Sequence, residues 1–318
     1  MRRETYEISG VKSGLPFGRI NLKSFGIQSR IFSGRKILKL VFPLKGKNSS
    51  EKMSFSFFRF FCTSKRNEGK LLLNLLFVLA IGSCNSENAP DCFQNTGKIV
   101  RNQVNVPEFN AITVFENLNL VVKQGNEQLV EIESGEFLIN EITAEVKGDR
   151  LILRNENGCN LFREYGISTV YVTSPDIAEI RSSTGGLISS DGPLNYSNLS
   201  LISESFQEPE AETTDGAFDL ELESEEVSIV VNGIAYFVLR GTTIGLSVNV
   251  AAGDSRIEAE QLLAQRVSFN HRGSNDIIVN PQNRISGVLR GYGNVISVNR
   301  PDEIAVEQLF NGKLIFRD

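Results

Sequence analysis

Three stretches, Gly233-Ile234-Ala235-Tyr236-Phe237-Val238-Leu239, Gly253-Asp254-Ser255-Arg256-Ile257-Glu258-Ala259 and Gly273-Ser274-Asn275-Asp276-Ile277-Ile278-Val279, start twenty residues apart, and Gly293 continues the series. Four residues after the first three glycines stand Phe237, Ile257 and Ile277; six residues after stand Leu239, Ala259 and Val279. The last copy is shorter, with Val295 four residues after Gly291, and an earlier one opens at Thr184-Gly185-Gly186-Leu187-Ile188. A period near twenty residues suits one coil of a solenoid, with short strands and glycine where a corner needs positive φ. Stacked ~4.8 Å apart by main-chain hydrogen bonds, such coils bring equivalent inward side chains into ladders. The expected fold is all-β, a single-stranded parallel β-helix with about 20 residues per coil. The competing arrangement is an antiparallel β-sandwich, which all-β chains of this size also form.

The flanks of the repeat agree with strands. From Val104 onward, short apolar runs alternate with polar residues, as in Leu118-Leu120-Val122, Leu151-Leu153, Ile229-Val231 and Leu246-Val248-Val250. Gly, Asn, Asp and Ser break the runs, which is the strand-and-turn pattern. Only Glu258–Arg266 has the composition of a helix, and its neighbours argue for a strand. Val306–Phe316 is expected to cap the last coil and blunt its open edge.

Charge divides the chain. Residues 1–70 hold 16 Lys+Arg and 4 Asp+Glu, a balance of +12; the remainder holds 33 − 16 = 17 basic and 38 − 4 = 34 acidic residues, a balance of −17. An acidic body repels a phosphate backbone, so nucleic acid is not an expected partner. At the junction, Lys65, Arg66 and Lys70 precede the apolar run Leu71–Gly82, and Ser83-Cys84 follow. A basic flank, a short apolar core and small residues before a cut site make a secretory signal. The run is too short to span a bilayer, which takes ~20 apolar residues. Ile81-Gly82-Ser83-Cys84 resembles the bacterial lipobox, with Ile81 and Ser83 departing from its common form. Cys84 is therefore the expected lipidation site, and the membrane is a partner through that anchor.

Four segments follow from these features. Residues 1–64, basic, Phe-rich and without a sustained period, are read as an over-extended start or a removed leader. Residues 65–84 are the lipoprotein signal, 85–103 the tether and N-terminal cap, and 104–318 the head. The polar linker Asn85–Pro90 is short, which holds the head close to an outer membrane or cell surface. With Cys62 removed and Cys84 acylated, Cys92 and Cys159 remain, and an even pair in an oxidising compartment reads as a disulfide.

From Val104 to Pro301 the chain resembles the auto-transporter adhesin head GIN domain family, found in exported Bacteroidetes proteins. The resemblance rests on Phe109–Val114, Leu120–Gly125, Val146–Leu153, Val170–Ile180 and the small-residue turn Ser182–Gly186, in that order. It implies a parallel β-helix and transfers no catalytic residues. The segment Glu204–Thr214, with its acidic run Gln207–Glu212, departs from the family pattern and is expected to bulge as a loop.

The search for chemistry returns little. With one His, a Ser-His-Asp triad would need His271, and His-rich metal sites are excluded. The glycine-rich turns neither open a helix nor precede a Lys-Ser/Thr pair, so no phosphate loop is expected. No metal and no cofactor are expected. The most polar turn, His271-Arg272-Gly273-Ser274-Asn275-Asp276, is a candidate binding rim with Tyr292 beside it, or simply a turn whose side chains bond its own backbone. A polysaccharide-cleaving site would have to draw on Asp254, Arg256, Glu258, His271, Arg272 and Asp276.

The leading functional expectation is a non-enzymatic envelope lipoprotein that binds glycans or envelope and matrix components. The alternatives are a carbohydrate-active enzyme and a structural component stacked through its open end. Clustered carboxylates beside a deep groove would favour the enzyme; a flat face of Ser, Thr and Asn would favour binding. The sequence leaves the oligomeric state open.

Overall fold

A computed structural model describes residues 28–32, 35–39, 94–157, 166–206 and 213–317. Cys84, Cys92, Cys159, the signal segment and the acidic run 207–212 lie outside the described residues. The chain divides into two units, Met1–Lys65 and Arg66–Asp318. In the first, β1 (Gln28–Phe32) pairs antiparallel with β2 (Arg35–Lys39), a hairpin in a stretch without a legible strand period.

The described part of the second unit is all-β, broken only by a 3-10 turn at Ile139–Glu141. Its seventeen strands form one large mixed sheet, nearly closed around the core. The first seven are β3 (Ile99–Val104), β4 (Ala111–Phe115), β5 (Asn119–Gln124), β6 (Leu129–Gly135), β7 (Ile142–Lys147), β8 (Arg150–Asn155) and β9 (Thr169–Ser174). Next come β10 (Glu179–Ser183), β11 (Leu187–Ser190) and β12 (Asn198–Ser203). Four long strands follow: β13 (Ala217–Val231), β14 (Tyr236–Val250), β15 (Arg256–His271) and β16 (Ile277–Leu289). Three short ones end the chain, β17 (Val295–Ser297), β18 (Glu303–Gln308) and β19 (Leu314–Phe316).

The first seven strands correct the expectation of uniform parallel winding from Val104. The pairs β3–β6, β6–β9 and β7–β8 are antiparallel. The link between β7 and β8 shows why: two residues, with Gly148 at φ 67°, suffice to reverse a chain, whereas a parallel return needs a longer crossover. Chain order and spatial order also part here. β4 lies between β8 and β10, and β5 between β9 and β11, so a later segment is laid beneath an earlier one.

From β10 to β19 every pairing among the described residues is parallel, which removes the antiparallel sandwich as the arrangement of this part. Glu258–Arg266 lies within β15, as its neighbours indicated. The registers set apolar residues in columns. Val170, Leu120, Ile188, Phe218, Phe237, Ile257, Ile277, Val295 and Leu314 are successive partners through the core. All but Leu314 are buried, and the rings of Phe218 and Phe237 stack with centroids 4.5 Å apart.

The repeat glycines meet at one corner. Asp254 N–H donates to Gly233 O at 2.8 Å, Ser274 N–H to Gly253 O at 3.0 Å, and Gly312 N–H to Gly291 O at 3.0 Å. Gly253 has φ 89°, and a Cβ there would collide with the Gly233 carbonyl, so conformation and space both demand glycine.

The C-terminal segment does not cap the end. β18 pairs only with β16, and β19 only with β17, so among the described residues their outer edges are unpaired. Leu309 and Phe310 are each 51% exposed beside them.

Candidate binding face

Alternation along β12 to β16 sends every second residue outward, and parallel register stacks those residues. Ser200, Ser228, Ser247, Ser268 and Ser286 are consecutive partners on the outer surface. Four of the five stand between two buried apolar residues, as Leu246 and Val248 flank Ser247, while Ser286 lies between buried Ile285 and half-buried Gly287. Ser247 and Ser268 are exposed and the other three half-buried. The result is a file of hydroxyls at the sheet spacing of ~4.8 Å, each able to donate and accept a hydrogen bond.

Two residues before the serines runs a charged column. Arg266 pairs with Glu226 at 2.7 Å and Arg284 with Glu303 at 2.8 Å. Glu226 reaches Arg266 across Gly245, where any side chain would collide with its carboxylate. Two residues after the serines, Asn270 Nδ2 donates to Asn249 Oδ1 at 3.0 Å. A shallow depression of about 140 Å³ runs over Ser247, Ser268, Ser286 and the charged column. The face is flat, hydroxyl- and amide-rich, and bordered by charges that neutralise each other.

The polar turn singled out in the sequence is divided by the structure. His271 is a correction: it is fully buried, its Nε2 2.9 Å from Asn275 O, and burial pushes its pKa below the ordinary value. It stands inward because it follows Val267 and Phe269 in the alternation of β15. Ser274 Oγ donates to Asp254 Oδ1 at 2.7 Å, and Asn275 Oδ1 accepts from Asp276 N–H at 2.9 Å. Asp276 Oδ1 accepts from Asn294 N–H at 2.9 Å and Nδ2 at 3.0 Å. These side chains hold one corner to the next. Arg272 and Tyr292 point to solvent.

The groups weighed for polysaccharide cleavage do not converge. Glu258 accepts from Tyr236 Oη at 2.6 Å and pairs with Arg256 at 2.7 Å; both hydrogen bonds lower its pKa. A carboxylate so held stays ionised and is a weak base. Asp254 and Asp276 are engaged as above, and His271 is out of reach of solvent. Among the described residues, no group of three or more His, Cys, Asp or Glu is placed to hold a metal ion.

A family model described as "Putative auto-transporter adhesin, head GIN domain" matches residues 108–301. The chain belongs to this family. Three solved structures resemble this head GIN protein. An adhesin-named structure from Bacteroides fragilis is 21% identical, with TM-score 0.61, over 69% of this chain and 97% of its own. One from Parabacteroides distasonis, also named as an adhesin, is 15% identical, with TM-score 0.53, over 70% and 98%. A third, from the same species and named as a lipid binding protein, is 16% identical, with TM-score 0.50, over 70% and 98%. At these identities the likeness concerns the fold. A search of curated proteins finds no match.

Proposed function

We propose that this head GIN protein is an exported envelope lipoprotein whose head binds extended ligands, glycans or matrix components, without transforming them. In this reading β10 to β19 wind as a parallel β-helix, and Cys84 carries the lipid anchor. The observation that carries the proposal is the serine file: a flat, repeating row of hydroxyls matches a repeating ligand better than it matches a reacting centre. The engaged carboxylates around Glu258 support it, since a carboxylate held by Tyr236 and Arg256 is a weak general base.

The test is a glycan and envelope-component array probed with the full chain and with a Ser247→Lys/Ser268→Lys variant. Two lysines in adjacent positions put like charges in the middle of the file while leaving the inward columns untouched. Array binding by the wild-type chain, reduced about tenfold or more in the variant, is the expected result. Binding that ignores the substitution, or release of cleaved product from any polysaccharide, would sink the reading.

A further inference from the structure

One strand repeat beyond the serines, the face ends at a corner carrying two arginines. Arg272 N–H donates to Val250 O, and Arg290 N–H to His271 O at 2.7 Å, which puts the two arginines on successive levels of the ladder. Neither has an ion-pair or side-chain hydrogen-bond partner among the described residues, although other arginines of this sheet, such as Arg240, Arg256, Arg266, Arg284 and Arg317, are paired with carboxylates. Both are exposed and line an open depression of about 420 Å³ with Asn270, Leu309 and Phe310.

Stacked like charges are unfavourable in a sheet unless something neutralises them. Two guanidinium forks on adjacent levels offer a sulfate or carboxylate several charge-assisted hydrogen bonds. The surroundings specify what carries that anion. Asn270 stands one outward position along β15 from Arg272 and supplies a neutral amide; Ser268 stands one position further. On the other side, Phe310 is 51% exposed and Tyr292 65%, with ring centroids 4.9 Å apart at 89°. Exposed rings of this kind pack against the apolar faces of sugar rings while their edges stay wet. The balance from residue 71 onward is 17 − 34 = −17, so this part of the chain carries excess negative charge, against which two stacked arginines stand out.

We infer that the Arg272–Arg290 corner is a binding site for the acidic group of a saccharide, a sulfate or uronate carboxylate, with the attached sugar chain running over Asn270 onto the serine file. This rests on the proposed glycan-binding role and names the ligand class within it.

The experiment compares the full chain with Arg272→Ala/Arg290→Ala and with a charge-matched control away from the serine file, Arg240→Ala/Arg317→Ala, by calorimetric titration. The probes are a sulfated dextran oligosaccharide, an oligogalacturonate, unmodified dextran, and vesicles of phosphatidylglycerol or phosphatidylcholine. The expected result is saturable binding of at least one acidic saccharide, weakened about tenfold or more in the Arg272/Arg290 variant and about threefold or less in the control. Equal losses in both variants would overturn the site, since any surface arginine would then serve. Binding of dextran alone would overturn the acidic ligand while leaving the glycan-binding role standing. Failure of every saccharide here and on the array removes both. Phosphatidylglycerol-selective binding with the same arginine dependence would overturn it in favour of a lipid headgroup.

Discussion

His271 occupies an inward column, with Ser203, Val231, Val250 and Leu289 as its counterparts on the neighbouring levels. Its Nε2 lies against the Asn275 carbonyl and so carries the proton, while Nδ1 has no hydrogen-bond partner among the described residues. Burial is the main reason its pKa is lowered; the Asn275 carbonyl and the Asp276 carboxylate oppose it in part. As pH falls through the ordinary histidine value of ~6.5, the unfolded chain takes up a proton that the fold still refuses. Stability is therefore complete above that pH and declines below it, until the folded value is passed. The melting temperature should drop between about pH 7.5 and about pH 5.5, and His271→Leu, which suits a column bordered by Val250 and Leu289, should flatten that part of the profile. An unchanged slope would show that other groups control it. The inward position was readable from Val267-Ser268-Phe269-Asn270-His271, where every second residue faces the core. The polar cluster that follows drew attention to composition instead.

Columns, more than single strands, carry the stability of the repeat region. Phe237 is fully buried, stacked on Phe218 below and partnered by Ile257 above. Phe237→Ala removes a ring between two layers that are held apart by the backbone ladder, so the gap cannot close; a loss of about 3–5 kcal/mol is expected in urea denaturation. A loss near 1 kcal/mol would show that the layers collapse onto the smaller side chain. The same column was visible in the sequence as Phe237, Ile257 and Ile277, because the spacing is twenty each time. The serine file was not. Its steps are 228 − 200 = 28, 247 − 228 = 19, 268 − 247 = 21 and 286 − 268 = 18, and the register shift between Ala259 and Leu263 absorbs part of the difference. Only main-chain pairing counts residues from one coil to the next correctly. A readable signal existed, serine between two core residues as in Val227-Ser228-Ile229 and Leu246-Ser247-Val248, but without register it does not align.

For the molecule as a whole, the proposed function links attachment to presentation. Under the proposed anchor, a lipid at Cys84 would hold the head at the membrane, each buried acyl methylene contributing ~0.8 kcal/mol. Cys84→Ser should move the protein from the membrane to the soluble fraction on cell fractionation, with the head still folded; unchanged partition would count against the anchor. The parallel ladder from β10 onward leaves its C-terminal edge unpaired among the described residues, while on the N-terminal side β3 pairs antiparallel with β6, β6 with β9 and β7 with β8.

Local period and composition were enough to determine an all-β chain, its repeat corners and much of its core, because alternation and glycine spacing are properties of neighbours in sequence; the family rested on the resemblance of its ordered motifs. The antiparallel pairings among the first seven strands, the insertion of β4 and β5 between later segments, the burial of His271, and the meeting of five serines and two arginines on one face were decided only in three dimensions. Those depend on which strand lies next to which, and residues far apart in the chain become neighbours only when main-chain hydrogen bonds set the register.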